Sequence, residues 1–156
     1  MNKMKVKLLS PGAKVPTRAE KGAAGYDLYV PCNFVINPGR NLIKLDISIE
    51  LKSETEAQIR PRSGFSLKGI EGYLLEDMDT PKRFDADVII GTIDESYRGV
   101  VGVIIKSYES IPFIVKEGTK IAQMVISHYC NEPFEVVTEL SKTERGEGGF
   151  GHTGTK

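Results

Sequence analysis

The chain has 156 residues, 40% of them hydrophobic and 27% charged, enough for one domain with a real core. Lys plus Arg and Asp plus Glu each number 21, so the formal net charge is zero. That balance argues against a nucleic-acid or membrane-surface protein held by bulk electrostatics, although a local basic cluster still suits a small polyanion.

In chain order, Lys5 to Leu9 predicts the first strand, and a second runs from Tyr26 to Val30 with Asp27 near its start. Ile43 to Leu51 alternates apolar and polar residues without a break, the pattern of one half-buried strand. Ala57 to Arg60 is the next strand, and Pro61 stops it. In Arg60-Pro61-Arg62-Ser63-Gly64, Arg62 offers a planar fork of donors and Ser63 a hydroxyl, while Gly64 admits close approach of the backbone. Together these suit a phosphate; the plain alternative is a polar turn with a solvated arginine.

Residues 70 to 87 carry six acidic and two basic side chains and read as an insertion in a β domain. Within and before it, Ser66 to Met78 predicts a short helix and Asp79-Thr80-Pro81 a turn. Between the apolar runs Val88-Ile89-Ile90 and Val100 to Ile105 lies Gly91-Thr92-Ile93-Asp94-Glu95-Ser96-Tyr97-Arg98-Gly99, read as a β-hairpin or tight turn. Asp94 follows an apolar residue, which predicts partial shelter from water; a sheltered carboxylate beside a ligand orients and deprotonates a water. The alternative is a polar hairpin tip.

Val100 to Lys106 and Ile121 to Tyr129 are further strands, and Gln123 interrupts the second. An inward glutamine needs partners at both amide ends, from the core or from a ligand. Phe134 to Val137 is the last predicted strand. From about Ser141 the chain is glycine-rich and poor in apolar residues, so residues 141–156 are expected to form a flexible arm on a domain of residues 1–140. Many short strands with Pro and Gly between them, and almost no helical period, predict an all-β sandwich or barrel. Cys32 and Cys130 lack metal-type spacing and are expected to be buried or inert. No signal-type or long apolar stretch is present, which points to a reducing, cytoplasmic setting.

Five stretches, AGYDL, PRSG, GTIDESYRG, GTKIAQ and RGEGGFGHTG, run in order from Ala24 to Gly154. In that order and spacing they resemble the five motifs of the trimeric deoxyuridine triphosphatases (dUTPases). The resemblance implies a jelly-roll, β-clip-type subunit of a homotrimer whose shared sites are closed by the glycine-rich arm. It implies hydrolysis of dUTP to dUMP and pyrophosphate, which keeps uracil out of DNA and supplies dUMP for dTTP synthesis. It further implies Mg2+ carried on the substrate's phosphates, with no direct protein ligand.

Carried over by position, Asp94 holds and activates the attacking water, Gln123 touches the α-phosphate and water, and Asp27 organises the site. Arg62, Ser63 and Gly64 contact phosphate. Gly91, Thr92, Ile93 and Gly102 belong to the backbone that reads uracil, and Tyr97 packs beneath the deoxyribose and excludes a 2′-hydroxyl. Arg145 grips the γ-phosphate, and Phe150 stacks on uracil beside Gly151. The sequence departs from the usual pattern at Phe65-Ser66, at Lys120 and at His152, and most of all in the 70–87 insertion. That insertion is either a solvated loop on the trimer surface, or an interaction arm for a protein partner or modulator of access. The related dCTP deaminases need a general-base glutamate in the strand after the third motif, where Val103, Ile104 and Ile105 stand and no proton can be moved. Neither a cellular nor a viral source is singled out.

Overall fold

The computed structural model describes residues 3–151. The strands in chain order are β1 (Lys5–Leu8), β2 (Gly25–Tyr29), β3 (Phe34–Ile36), β4 (Gly39–Lys44), β5 (Ile47–Glu50) and β6 (Thr55–Arg60). One helix, α1 (Ser63–Lys68), precedes β7 (Ile70–Leu74), β8 (Asp77–Phe84), β9 (Ala86–Ile89), β10 (Gly91–Ile93), β11 (Gly102–Ser107), β12 (Phe113–Val115) and β13 (Lys120–His128). All ladders are antiparallel, in the orders β1-β5, β10-β6-β13-β2, β4-β11-β9 and β3-β12-β7-β8. They enclose one core, in which Leu28, Ile36, Ile43, Leu45, Ile105, Phe113 and Ile121 are almost fully buried. The period of two therefore reported the fold class correctly.

Two ladders position the site. β13 lies between β2 and β6, and its register sets Gln123 opposite Asp27 on one side and Arg60 on the other. β9 and β10 are nearly continuous in sequence but belong to different sheets, with exposed Ile90 at the change. The chain then crosses to β11, which pairs with β4 and β9 rather than β10. Of the two readings of 91–99, hairpin or tight turn, the tight turn holds, and it joins two sheets; Tyr97 N donates to Asp94 O at 3.0 Å.

The single strand expected over 43–51 is broken. Its inward residues Ile43, Leu45, Ile47, Ile49 and Leu51 are all buried as the alternation requires, but Asp46 adopts φ 53°. Around it Leu45 N donates to Val101 O and Val101 N to Ile47 O, at 2.9 and 2.8 Å. Two residues on one strand thus straddle one on the other, so β4 ends in one sheet and β5 begins in another while the side-chain pattern survives.

The helix expected over 66–78 is shorter and earlier. Gly69 closes α1 with φ 77° and donates its N–H to Phe65 O at 2.9 Å, a left-handed stop that an L side chain tolerates poorly. Beyond it Ile70 and Gly72 point inward, so the acidic insertion is a β-hairpin that turns at Leu75-Glu76, not at 79–81. It is docked rather than loosely solvated. The buried ring of Phe84 stacks on Phe113 with centroids 4.2 Å apart, and the Lys116 ammonium sits 3.9 Å over the Tyr73 ring while donating to Met78 O. Burying a phenylalanine contributes about 2 kcal/mol, which sets the scale for holding β7 and β8 against β12.

Phe134 to Val137 forms no strand. Phe134, Val136 and Leu140 are almost wholly exposed, and no strand among the described residues pairs with them. Cys32 and Cys130 are free and exposed, not buried.

Candidate active site

The predicted residues fall into three groups. The first lines a cavity of about 420 Å³ and contains Gly91, Thr92, Ile93, Asp94, Tyr97 and Gly102, walled by Leu42, Ile59, Val101 and Ile104 with Lys44 at the edge. β10 supplies the backbone of one wall, because its pairing with β6 fixes Gly91, Thr92 and Ile93 against Ile59, Gln58 and Ala57. Ile93 is buried and anchors the strand; Asp94, the next residue, is exposed. The partial shelter expected for Asp94 is absent within the chain, since no element of the described residues covers it. Tyr97 donates its hydroxyl to Val100 O at 3.2 Å, which holds the ring across the turn. A Cβ on Gly99 would run into that ring, so only glycine lets the tyrosine lie there.

The tip is clamped by residues the sequence reading passed over. Glu95 accepts hydrogen bonds from the Glu54 amide and the Tyr129 hydroxyl, the latter at 2.8 Å, so the loop bearing Asp94 is tied to the β5–β6 turn and the end of β13. The Tyr129 hydroxyl is pushed above its ordinary value of 10.0, chiefly by that hydrogen bond, and stays a neutral donor. Tyr129 gave no local signal and Glu95 only its place in the third motif, because the contact joins positions 34 apart.

The second group lines a cavity of about 310 Å³: Asp27, Arg62, Ser63, Gly64 and Gln123, with Lys68 and Arg83. Asp27 is buried on β2 and answers two cations, Arg62 Nε at 3.1 Å and Lys120 Nζ at 2.8 Å. Burying a carboxylate is costly unless it is paired, so Asp27 fixes both cations and thereby aims the Arg62 fork. The Asp27 carboxylate holds the Lys120 pKa above its ordinary 10.5, by hydrogen bonding first and charge second. Lys120, noted from sequence only as a departure from the motif, is thus a structural partner of the site. Gln123 Nε2 donates to Pro61 O at 3.0 Å, and its carbonyl end lies where a Cβ on Gly25 would be. The glycine of AGYDL therefore makes room for the glutamine of GTKIAQ across the β2–β13 ladder.

The third group is the arm. Arg145 and Phe150 are exposed, Gly151 has φ 96°, and Arg145 Nε donates to Gly148 O at 2.7 Å. None of the three lines either cavity, and the two cavities share no lining residue. His152, Thr153 and Gly154 lie outside the described residues. Among the described residues, no three His, Cys, Asp or Glu side chains converge as a metal cage.

A family model described as dUTPase matches residues 12–80 and 82–154. The deoxyuridine 5'-triphosphate nucleotidohydrolase of Clostridium tetani is 45% identical over 152 residues, which cover 97% of this chain and 96% of that protein. A dUTPase variant from Staphylococcus bacteriophage 80alpha, solved with dUpNHpp, superposes with a TM-score of 0.82 at 27% identity, covering 99% of both chains. A dUTPase variant from phage phi11 of S. aureus, described with a structural Mg(II) ion, gives 0.72 at 25% identity, covering 88% of this chain and 98% of that one.

Proposed function

The chain belongs to the dUTPase family, with its all-β jelly-roll fold, and hydrolyses dUTP to dUMP and pyrophosphate; we propose that Asp94 activates the water that does so, at a site completed by three copies of the chain. The observation that carries this reading is the division of the predicted residues into two cavities and an arm with no overlap. A nucleotide needs all three groups at once, and separate subunits supply them. The exposed Phe134, Val136 and Leu140 support the same assembly, since a neighbouring subunit removes that apolar surface from water.

In the assembled site, uracil and deoxyribose occupy the cavity of Gly91, Thr92, Ile93, Tyr97 and Gly102. Backbone N–H and C=O groups read the base edge, and Tyr97 fills the space a 2′-hydroxyl would need. Arg62, Ser63, Gly64 and Gln123 of a second subunit hold the phosphates, with Asp27 setting the Arg62 fork. Asp94 accepts a proton from a water. The water oxygen bonds to the α-phosphorus while the bond from phosphorus to the bridging oxygen breaks, and pyrophosphate leaves. Arg145, Phe150 and Gly151 of the arm close over the γ-phosphate and base and exclude bulk water.

Mg2+ fits this arrangement as a passenger of the triphosphate, because it keeps several waters and asks for one or two carboxylates rather than a protein cage. It supplies charge neutralisation to the phosphates when bound. The proposed setting is cytoplasmic. The hairpin of residues 70–87 also offers a surface to a protein partner.

Pyrophosphate release from dUTP, UTP, dCTP and dTTP with Mg2+ tests the reading. The native chain releases it from dUTP alone, and Asp94→Asn lowers kcat by about a thousandfold, the scale of a lost general base. Release by Asp94→Asn at the native rate removes the proposed role for this carboxylate.

A further inference from the structure

One wall of the phosphate cavity comes from outside the five shared motifs. Arg83 of β8 and Lys68 at the end of α1 line it beside Asp27, Arg62, Ser63, Gly64 and Gln123. Arg83 belongs to the 70–87 hairpin, so the insertion reaches this cavity.

The backbone that carries Arg83 is fixed. The next residue, Phe84, is buried on Phe113, and alternation along β8 turns Arg83 to the opposite face. Its own contacts are weak: Nη1 donates to Gly69 O at 3.3 Å, and Nη2 lies 3.6 Å from Glu71 Oε2, its cross-strand neighbour, with both side chains about half exposed. A guanidinium has five N–H donors, so most of the fork stays free. Arg62 differs, since its Nε is committed to the buried Asp27. The one carboxylate lining this cavity is already answered by two cations. What the cavity still offers is unspent positive charge on Arg83 and Lys68, matched to a polyanion.

We propose that Arg83 is a phosphate-binding residue of this enzyme, supplied by the inserted hairpin, that grips the β,γ end of the substrate and the departing pyrophosphate. The proposal rests on the reading that this cavity takes the triphosphate. Arg83 holds the terminal phosphates alike in substrate and product, so its loss acts on binding rather than on the chemical step. Lys68 adds charge beside it.

The test is steady-state hydrolysis of dUTP by the full-length chain and by Arg83→Gln, Arg83→Lys and Glu71→Gln, with inhibition by pyrophosphate and by dUMP. Arg83→Gln raises KM for dUTP and Ki for pyrophosphate about tenfold, as expected for a lost charge-assisted bidentate contact. Its kcat stays near the native value, and the Ki of dUMP, which lacks those phosphates, does not move. Arg83→Lys recovers most of the loss. Glu71→Gln releases the nitrogen that Glu71 holds and lowers the pyrophosphate Ki, and adding Arg83→Gln abolishes that gain, which mere removal of a negative charge does not produce. Unchanged pyrophosphate inhibition in Arg83→Gln, or equal weakening toward pyrophosphate and dUMP, overturns the proposal. Glu71→Gln also settles the case should Arg83→Gln unfold: an unchanged Ki in that variant overturns it too. Absence of dUTP hydrolysis by the native chain would instead fault the underlying function.

Discussion

The two cavities are built by different physics. The one around Gly91 and Tyr97 is shaped by ladder register and apolar packing, with Leu42, Ile59, Val101 and Ile104 for walls and backbone for its polar edge. The one around Asp27 and Arg62 is shaped by ion pairs, with a buried carboxylate aiming two cations. The first is suited to discriminate between bases and sugars, because shape and fixed backbone groups reject a wrong edge. The second is suited to hold charge and cannot tell one nucleotide from another. On the proposed reading selectivity and phosphate affinity are separable, and substitutions in one cavity should leave the other's property intact.

The largest effect that breaks this symmetry is expected from Asp27→Ala. Freed of its carboxylate, the Arg62 fork loses its aim, and kcat/KM for dUTP falls about a hundredfold, the scale of misplacing a catalytic contact. The preference for dUTP over dCTP stays at its native ratio. Competition assays with both nucleotides check this; a collapse of base preference would show that the cavities are coupled.

A smaller, opposite effect is expected from Tyr97→Ala. Opening the space beneath the sugar raises the UTP-to-dUTP ratio of kcat/KM by about tenfold to a hundredfold, the range for removing a steric contact. The ring is half exposed and its one hydrogen bond is to Val100 O, so the melting temperature hardly changes. Parallel kinetics with both nucleotides and a thermal melt measure the two halves.

The smallest effect concerns pH. Lys120 has its folded pKa raised above 10.5 by Asp27. A raised lysine pKa contributes stability that is complete below the unfolded value and is lost as pH rises through the folded value. Between pH 6 and 9 the pair adds no pH dependence; above about 10.5 the native chain loses stability that Lys120→Met never had. Melts of both proteins from pH 7 to 12 should therefore converge at the alkaline end. A constant gap would mean that Lys120 acts through packing instead.

Where the sequence reading went astray, the reason lies in contacts between distant residues. Ile43 to Leu51 has a flawless alternation, yet Asp46 breaks the strand because Val101, far along the chain, bonds on both sides of it. The helix expected from Ser66 stops at Gly69, and Gly72 turns inward where Phe113 lies against it. Phe134 to Val137 has strand composition but no partner strand among the described residues. Glu95, Tyr129 and Lys120 are ordinary residues until the fold sets them against Glu54, the turn at Asp94 and the buried Asp27.

The sequence by itself determined the all-β class, the five motifs and their order, and hence the family and its reaction. These depend on local periodicity and on residue types held at fixed spacing along the chain. Only the tertiary structure decided that the motifs form two cavities and an arm, that Asp94 stands exposed in a single chain, and that Arg83 lines the same cavity as Asp27 and Arg62. Those facts depend on ladder register, strand switches and the docking of Phe84 on Phe113, which arise between residues far apart in sequence and leave no local pattern to read.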